Sequence, residues 1–239
     1  MNNTDSHHLM PDLAQLLVQR RTTRAYLPRP VSPGMIDEVL QLAARAPSGN
    51  NIQPWRVHVV SGEVRQRLVA AVCAAFDAAD GSHREEYPYY PAQFFEPYLG
   101  RRRQTGWGLY GLLGIGKGDG DKMRAQQRRN FQFFGAPVGL MFTIDRRLAQ
   151  GSWLDYGMFL QNVMLAAAGR GLGTCAQAAW NDYHRIIGEV LGFGEQEQLV
   201  CGMALGYADP GAPENGLVTA RAALAEFVVR HGEGSGVGR

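Results

Sequence analysis

The chain has 239 residues, 45% of them hydrophobic and only 19% charged, and 30 are glycine where roughly 17 would be usual. At this length one fold buries on the order of 70% of its unfolded surface, which excludes a core that depends on disulfides or a structural zinc. A formal charge of +2 is too small for a nucleic-acid footprint or a membrane-surface patch, so the apolar and glycine surplus points to a partner interface or to backbone packed closely on a ligand.

Residues 1–10 and 232–239 read as mobile polar or glycine-rich tails. The opening MNNTDSHHLMPD has no basic stretch followed by an apolar one, and no run reaches about 18 apolar residues, so the expectation is a soluble, cytoplasmic chain. Cys73, Cys175 and Cys201 are odd in number, far apart and in apolar surroundings, which predicts reduced thiols. No spacing among His7, His8, His58, His83, His184 and His231 suggests a metal site.

Asp12 can cap a first helix running to Gln19, and Ser32-Pro33 starts a second whose apolar period continues to Ala46. A loop, PSGNNIQP at 47–54, leads into a strand over Trp55–Val60, and Glu63–Asp77 reads as a helix. Residues 80–105, rich in Tyr, Pro and Arg, have no clear period and resemble an inserted lobe or lid. Gly106-Trp-Gly-Leu-Tyr-Gly111 imitates a dinucleotide fingerprint, and Gly111 to Gly116-Lys117 a phosphate loop. Neither follows a buried strand, and Gly118 stands where magnesium would need Ser or Thr, so both read as a glycine-rich cover loop at 106–120.

Further along, Asp121–Phe134 is predicted as a helix and Val138–Asp145 as a buried strand. Ser152 is expected to cap a helix over Trp153–Arg170, hydrophobic nearly all round and so central or at an interface. A strand at Thr174–Ala179, a helix at Asp182–Leu191 and an apolar strand at 199–206 complete the order. Irregular alternation of strands and helices, with no internal repeat or long linker, favours an α+β or mixed α/β fold in one domain with a core over about 12–230. Trp55 and Trp153 read as core or interface anchors, and Cys175 as a small buried residue.

Arg20-Arg21-Thr22-Thr23-Arg24 is followed about 25 residues later by Ala46-Pro47-Ser48-Gly49-Asn50-Asn51-Ile52-Gln53-Pro54-Trp55. These segments resemble the R-R-(S/T)-x-R and A-P-S-x-x-N-x-Q-P-W signatures of the FMN-dependent nitroreductase family. APVGLMF, DYGMFLQNVMLAAAGRGLGTC, LGYADP and Thr219-Ala-Arg221 extend the resemblance over roughly 12–230; it is least informative in the lobe at 80–120.

The resemblance implies an α+β nitroreductase-like fold, with a mixed, mostly antiparallel sheet flanked by helices and an intertwined homodimer holding FMN at its interface. Hydride from NADH or NADPH would pass, in a ping-pong sequence, to a small electrophilic acceptor such as a nitroaromatic or quinone. By similarity, Arg20 and Arg221 would hold the flavin phosphate, with backbone and hydroxyl contacts from Arg21, Thr22 and Thr23. That chemistry suits planar guanidiniums. Arg24 would lie near the pyrimidine edge, where a cation stabilises reduced flavin. Pro47, Ser48, Asn51 and Gln53 would approach from the second subunit, and Ala176, Gln177, Ala178 and Ala179 would pass flavin N5, with Gln177 as a polar contact. Ala178 replaces a Glu found in some members. Gly157 would admit close approach of the ring or of a partner helix. Dehalogenation, flavin fragmentation, peptide-ring oxidation or a non-catalytic flavin carrier remain alternatives on this scaffold, and a nucleotide-triphosphate switch on residues 111–118 is the reading from a different class.

Overall fold

The computed structural model describes residues 12–232, so the two tails lie outside the described residues except for Gly232. Four strands, β1 (Arg56–Val60), β2 (Val138–Asp145), β3 (Gly173–Gln177) and β4 (Glu197–Gly206), form one sheet in the order β1-β2-β4-β3. All three pairings are antiparallel. A parallel contact appears only as an isolated bridge between Thr22 and Thr174, so the mixed character lies in the chain arm beside β3.

The central strands read as continuous apolar runs because helices cover both faces. On one side α2 (Pro33–Ala43) and α6 (Gln150–Gly169) bury Val39, Tyr156, Phe159 and Val163 against Leu140, Phe142 and Met203. On the other, α3 (Gly62–Ala78) and α7 (His184–Leu191) pack Leu68, Val72 and Ile187 with Phe133 and Trp180 over Met141 and Ala204. The remaining helices are α1 (Leu13–Gln19), α4 (Tyr98–Leu112) and α5 (Gly120–Arg128). Asp12 caps α1 and Ser32 caps α2, as the sequence signals require.

Several boundaries differ from expectation. Helix α2 ends at Ala43 rather than Ala46, and α6 begins at Gln150, with Ala149 rather than Ser152 at its N-cap. The helix expected to reach Phe134 stops at Arg128 and tightens into a 3-10 stretch, Arg129–Gly135, where Phe133 and Phe134 take left-handed φ values of 52° and 53°. Strand β3 stops at Gln177, before a 3-10 turn at Ala178–Tyr183, and α7 starts at His184 rather than Asp182.

The predicted cover loop is corrected more deeply. Gly106, Gly108 and Gly111 lie inside α4, and only residues 113–119 form turns. No residue of α4 is buried, so its sequence carries no apolar stripe by which to recognise it. Several glycines instead serve the sheet. A Cβ on Gly139 of β2 would overlap the Phe133 ring, and one on Gly202 of β4 would overlap Trp180. None of the described helices is long and apolar enough to cross a membrane.

Candidate active site

Leaving α1, the chain runs as an extended arm along the edge of β3. The Thr23 amide donates to the Thr174 carbonyl at 2.9 Å, and the Leu27 amide donates to the Tyr207 carbonyl at 2.9 Å. Extended backbone alternates its side chains. Arg20, Thr22 and Arg24 therefore join Arg21 in lining an open cleft of about 330 Å³, completed by Leu217, Thr219 and Arg221. Thr23 points the other way, buried against Gly173, and does not line that cleft.

The electrostatics of the cleft are those of clustered positive charge. Burial lowers the Arg20 pKa below its ordinary value, and the nearby positive charge of Arg221 lowers it further. Among the described residues none of Arg20, Arg21, Arg24 or Arg221 forms an ion pair with a carboxylate. Arg221 instead donates to the Thr219 hydroxyl at 2.7 Å and to the carbonyls of Thr219 and Ala220 at 3.0 Å. Like charges held together without a counter-charge fit a dianionic phosphate, to which planar guanidiniums bond in pairs.

Pro47, Ser48, Asn51 and Gln53 stand elsewhere. Pro47, Asn51 and Gln53 are exposed, and none of the four lines the arginine cleft of its own chain. Asn50, Asn51 and Gln53 all take positive φ, at 48°, 58° and 49°. Ser48 Oγ accepts from the Gln53 amide at 3.0 Å, and Asp155 Oδ2 accepts from the Gly49 amide at 3.1 Å. An exposed loop fixed in an uncommon backbone conformation is a recurrent property of ligand clamps.

At the far end of β3, Ala176, Gln177 and Ala178 line a second cavity of about 380 Å³, walled by Tyr87, Tyr89 and Trp153. A Cβ on Gly157, which also lines it, would meet nothing within 4 Å. Its glycine therefore answers no crowding inside this chain. Ala179 is not among the residues lining this cavity, and packs beside the core on the α3 and α7 side. The Gln177 side chain is buried, with Nε2 donating to the Asn130 carbonyl at 2.6 Å and Oε1 left without a hydrogen-bond partner. Cys175 is inert by environment: burial pushes its thiol up to about 11, against a smaller opposing pull from Arg24.

The arginine cleft lies beside the start of β3 and the small-residue cavity at its end. Residues 17–207 match the model of the nitroreductase family. The chain belongs to the nitroreductase family. A nitrobenzene nitroreductase from Ectopseudomonas oleovorans is 42% identical over 217 residues, covering 91% of this chain and 96% of that protein. A 4-nitrobenzoate reductase from Pseudomonas putida is likewise 42% identical, over 87% of this chain and 91% of that protein. Among solved structures, the FMN and NADPH-dependent nitroreductase NfnB from Sphigopyxis sp. strain HMH superposes with a TM-score of 0.89 at 37% identity, covering 92% of this chain and 98% of that one.

Asn215, Arg129 and Glu214 belong to no motif yet brace the arginine arm. Asn215 Oδ1 accepts from the amides of Arg24 and Ala25 at 2.7 and 3.2 Å, while its Nδ2 donates to the carbonyls of Ala25 and Asp209 at 2.8 and 2.9 Å. Arg129 donates to the Arg24 carbonyl at 3.0 Å and pairs with the buried Glu214 at 2.5 Å. Together they fix the backbone of Arg24 from behind. Because the neighbouring Asn130 carbonyl receives Gln177, residues 129–130 tie the arginine arm to the end of β3.

Proposed function

We propose that this chain is an FMN-dependent oxidoreductase, working as a homodimer in the cytoplasm, that passes hydride from NADH or NADPH to an electrophilic acceptor such as a nitroaromatic or a quinone. The observation that carries this reading is the pair Arg20 and Arg221, two guanidiniums close enough to oppose each other's charge and without a carboxylate between them. When bound, FMN would supply the two-electron redox chemistry between the nicotinamide and the acceptor.

The protein's own residues bind and orient. Arg20 and Arg221 hold the phosphate, assisted by Arg21 and the Thr22 hydroxyl, while Thr23 anchors the arm, its side chain committed to packing and its amide to the Thr174 carbonyl. Arg24, its backbone fixed by Asn215 and Arg129, presents positive charge to the pyrimidine edge. At the end of β3 the first N–H groups of the Ala178–Tyr183 turn have no partner within that turn and can donate to the ring. Alanine side chains there leave one face open to an acceptor. The 47–54 loop, outside its own chain's cleft, meets the flavin of the second subunit. Cys73, Cys175 and Cys201 are all unpaired, which suits a reducing compartment.

Purified protein loaded with FMN should oxidise NADPH or NADH rapidly on addition of nitrobenzene or a quinone, in step with acceptor reduction. Protein that takes up no FMN, or that loads FMN but oxidises neither nicotinamide with either acceptor, would contradict the reading.

A further inference from the structure

We propose that the cavity beside Ala176–Ala178 selects uncharged nitroarenes over carboxylated ones. This rests on the oxidoreductase reading only in placing the acceptor there. The relatives act on both kinds of substrate, by name, at equal identity, so the discrimination has to come from what lines the cavity.

The lining holds no charged side chain among the described residues. Its polar groups are largely committed to the protein. The Tyr87 hydroxyl donates to the Val200 carbonyl, and the Tyr156 hydroxyl lies 2.9 and 3.0 Å from the carbonyls of Arg56 and Thr143. Gln177 Nε2 is bonded to Asn130, while its Oε1 is a buried acceptor without a partner. What remains is neutral: the Gln177 Oε1 acceptor, the side-chain donors of Tyr89 and Trp153, and the Cys201 thiol, which burial pushes up to about 12.

The charges that act on Tyr87 have the wrong sign for a carboxylate. Glu85 and Glu86 immediately precede Tyr87 and contribute to raising its pKa, after burial and the neighbouring Cys201 and Tyr89. Glu86 is compensated by Arg146, at 2.9 Å, whereas Glu85 has no ion-pair partner among the described residues and accepts only the Tyr89 amide. Meanwhile the unpaired cations of the arm are gathered in the arginine cleft. A benzoate ring entering here would surrender carboxylate hydration without a cationic partner, whereas a neutral ring gains aromatic contact without that cost.

The near-isosteric pair 4-nitrobenzamide and 4-nitrobenzoate tests this with FMN-loaded protein and a reduced nicotinamide. We expect kcat/KM at least roughly tenfold higher for the amide, a gap of about 1.4 kcal/mol carried mainly by KM. Tyr89→Arg, which places a cation at an exposed position of the wall, should narrow the gap by raising kcat/KM for the acid; an unchanged gap would count against the proposal. Binding of benzamide and benzoate, followed by tryptophan fluorescence, reads the cavity without turnover. Equal or better use of 4-nitrobenzoate, or equal binding of benzoate, would overturn the proposal while leaving the reductase reading intact. Loss of turnover with both nitroarenes, together with binding of benzamide alone, would overturn the reductase reading and leave the selectivity standing.

Discussion

One carboxamide, that of Asn215, satisfies two amides and two carbonyls around Arg24 and Ala25. Asn215→Ala would leave partly buried backbone groups without partners, a loss of about 1–3 kcal/mol. Its expected signature is weaker FMN binding and a lower flavin reduction potential, since Arg24 would no longer be held at the ring edge. Spectroelectrochemistry checks the potential, which a general loss of stability would leave unmoved in the fraction that still binds FMN. At this scale the sequence was informative wherever chemistry and spacing coincided: Arg20, Arg21, Thr22 and Arg24 do line one cleft with Arg221. The Thr23 side chain departs from this pattern because strand alternation, invisible in a short polar motif, turns it inward. Asn215 and Arg129 were not legible at all. They lie 191 and 105 residues from Arg24, and an Asn in a turn or an Arg at a helix end is ordinary.

Strands β2 and β4 were readable because a sheet covered on both faces writes an uninterrupted apolar run, and α2 because its Ser-Pro start precedes a clean helical period. Helix α4 left no such trace, since none of its residues is buried. The 3-10 stretch after α5 was hidden for another reason. Its left-handed residues are Phe133 and Phe134, which give no local signal, and their conformation follows from ring packing on the sheet. The glycines opposite are the other half of that packing. Gly202→Ala would drive a methyl group into Trp180, and overpacking of this kind costs about 1–3 kcal/mol. Chemical denaturation should show the transition midpoint falling while its slope stays constant; an unchanged midpoint would mean that the Trp180 ring is free to move aside.

Taken as a whole molecule, the chain leaves apolar side chains in water that a finished surface would cover. On α1 Val18 is 82% exposed, on α6 Leu154 is 72% exposed, and near the C-terminal end Phe227 and Val229 are 66% and 78% exposed. A second copy covering these positions would also account for the apolar surplus of the composition and would give the 47–54 loop a flavin to meet. Sedimentation should therefore find a dimer at micromolar concentration, whereas a monomer would remove the shared site. Titrating apoprotein separately with FMN and with riboflavin, which has the same ring system but no phosphate, tests whether the arginine cleft holds the flavin phosphate. The account predicts one FMN per chain, bound far more tightly than riboflavin, with the difference largely abolished in an Arg20→Ala, Arg221→Ala double variant. Equal affinity for the two flavins in the wild-type protein, or a preference for FMN that survives loss of both arginines, would contradict it.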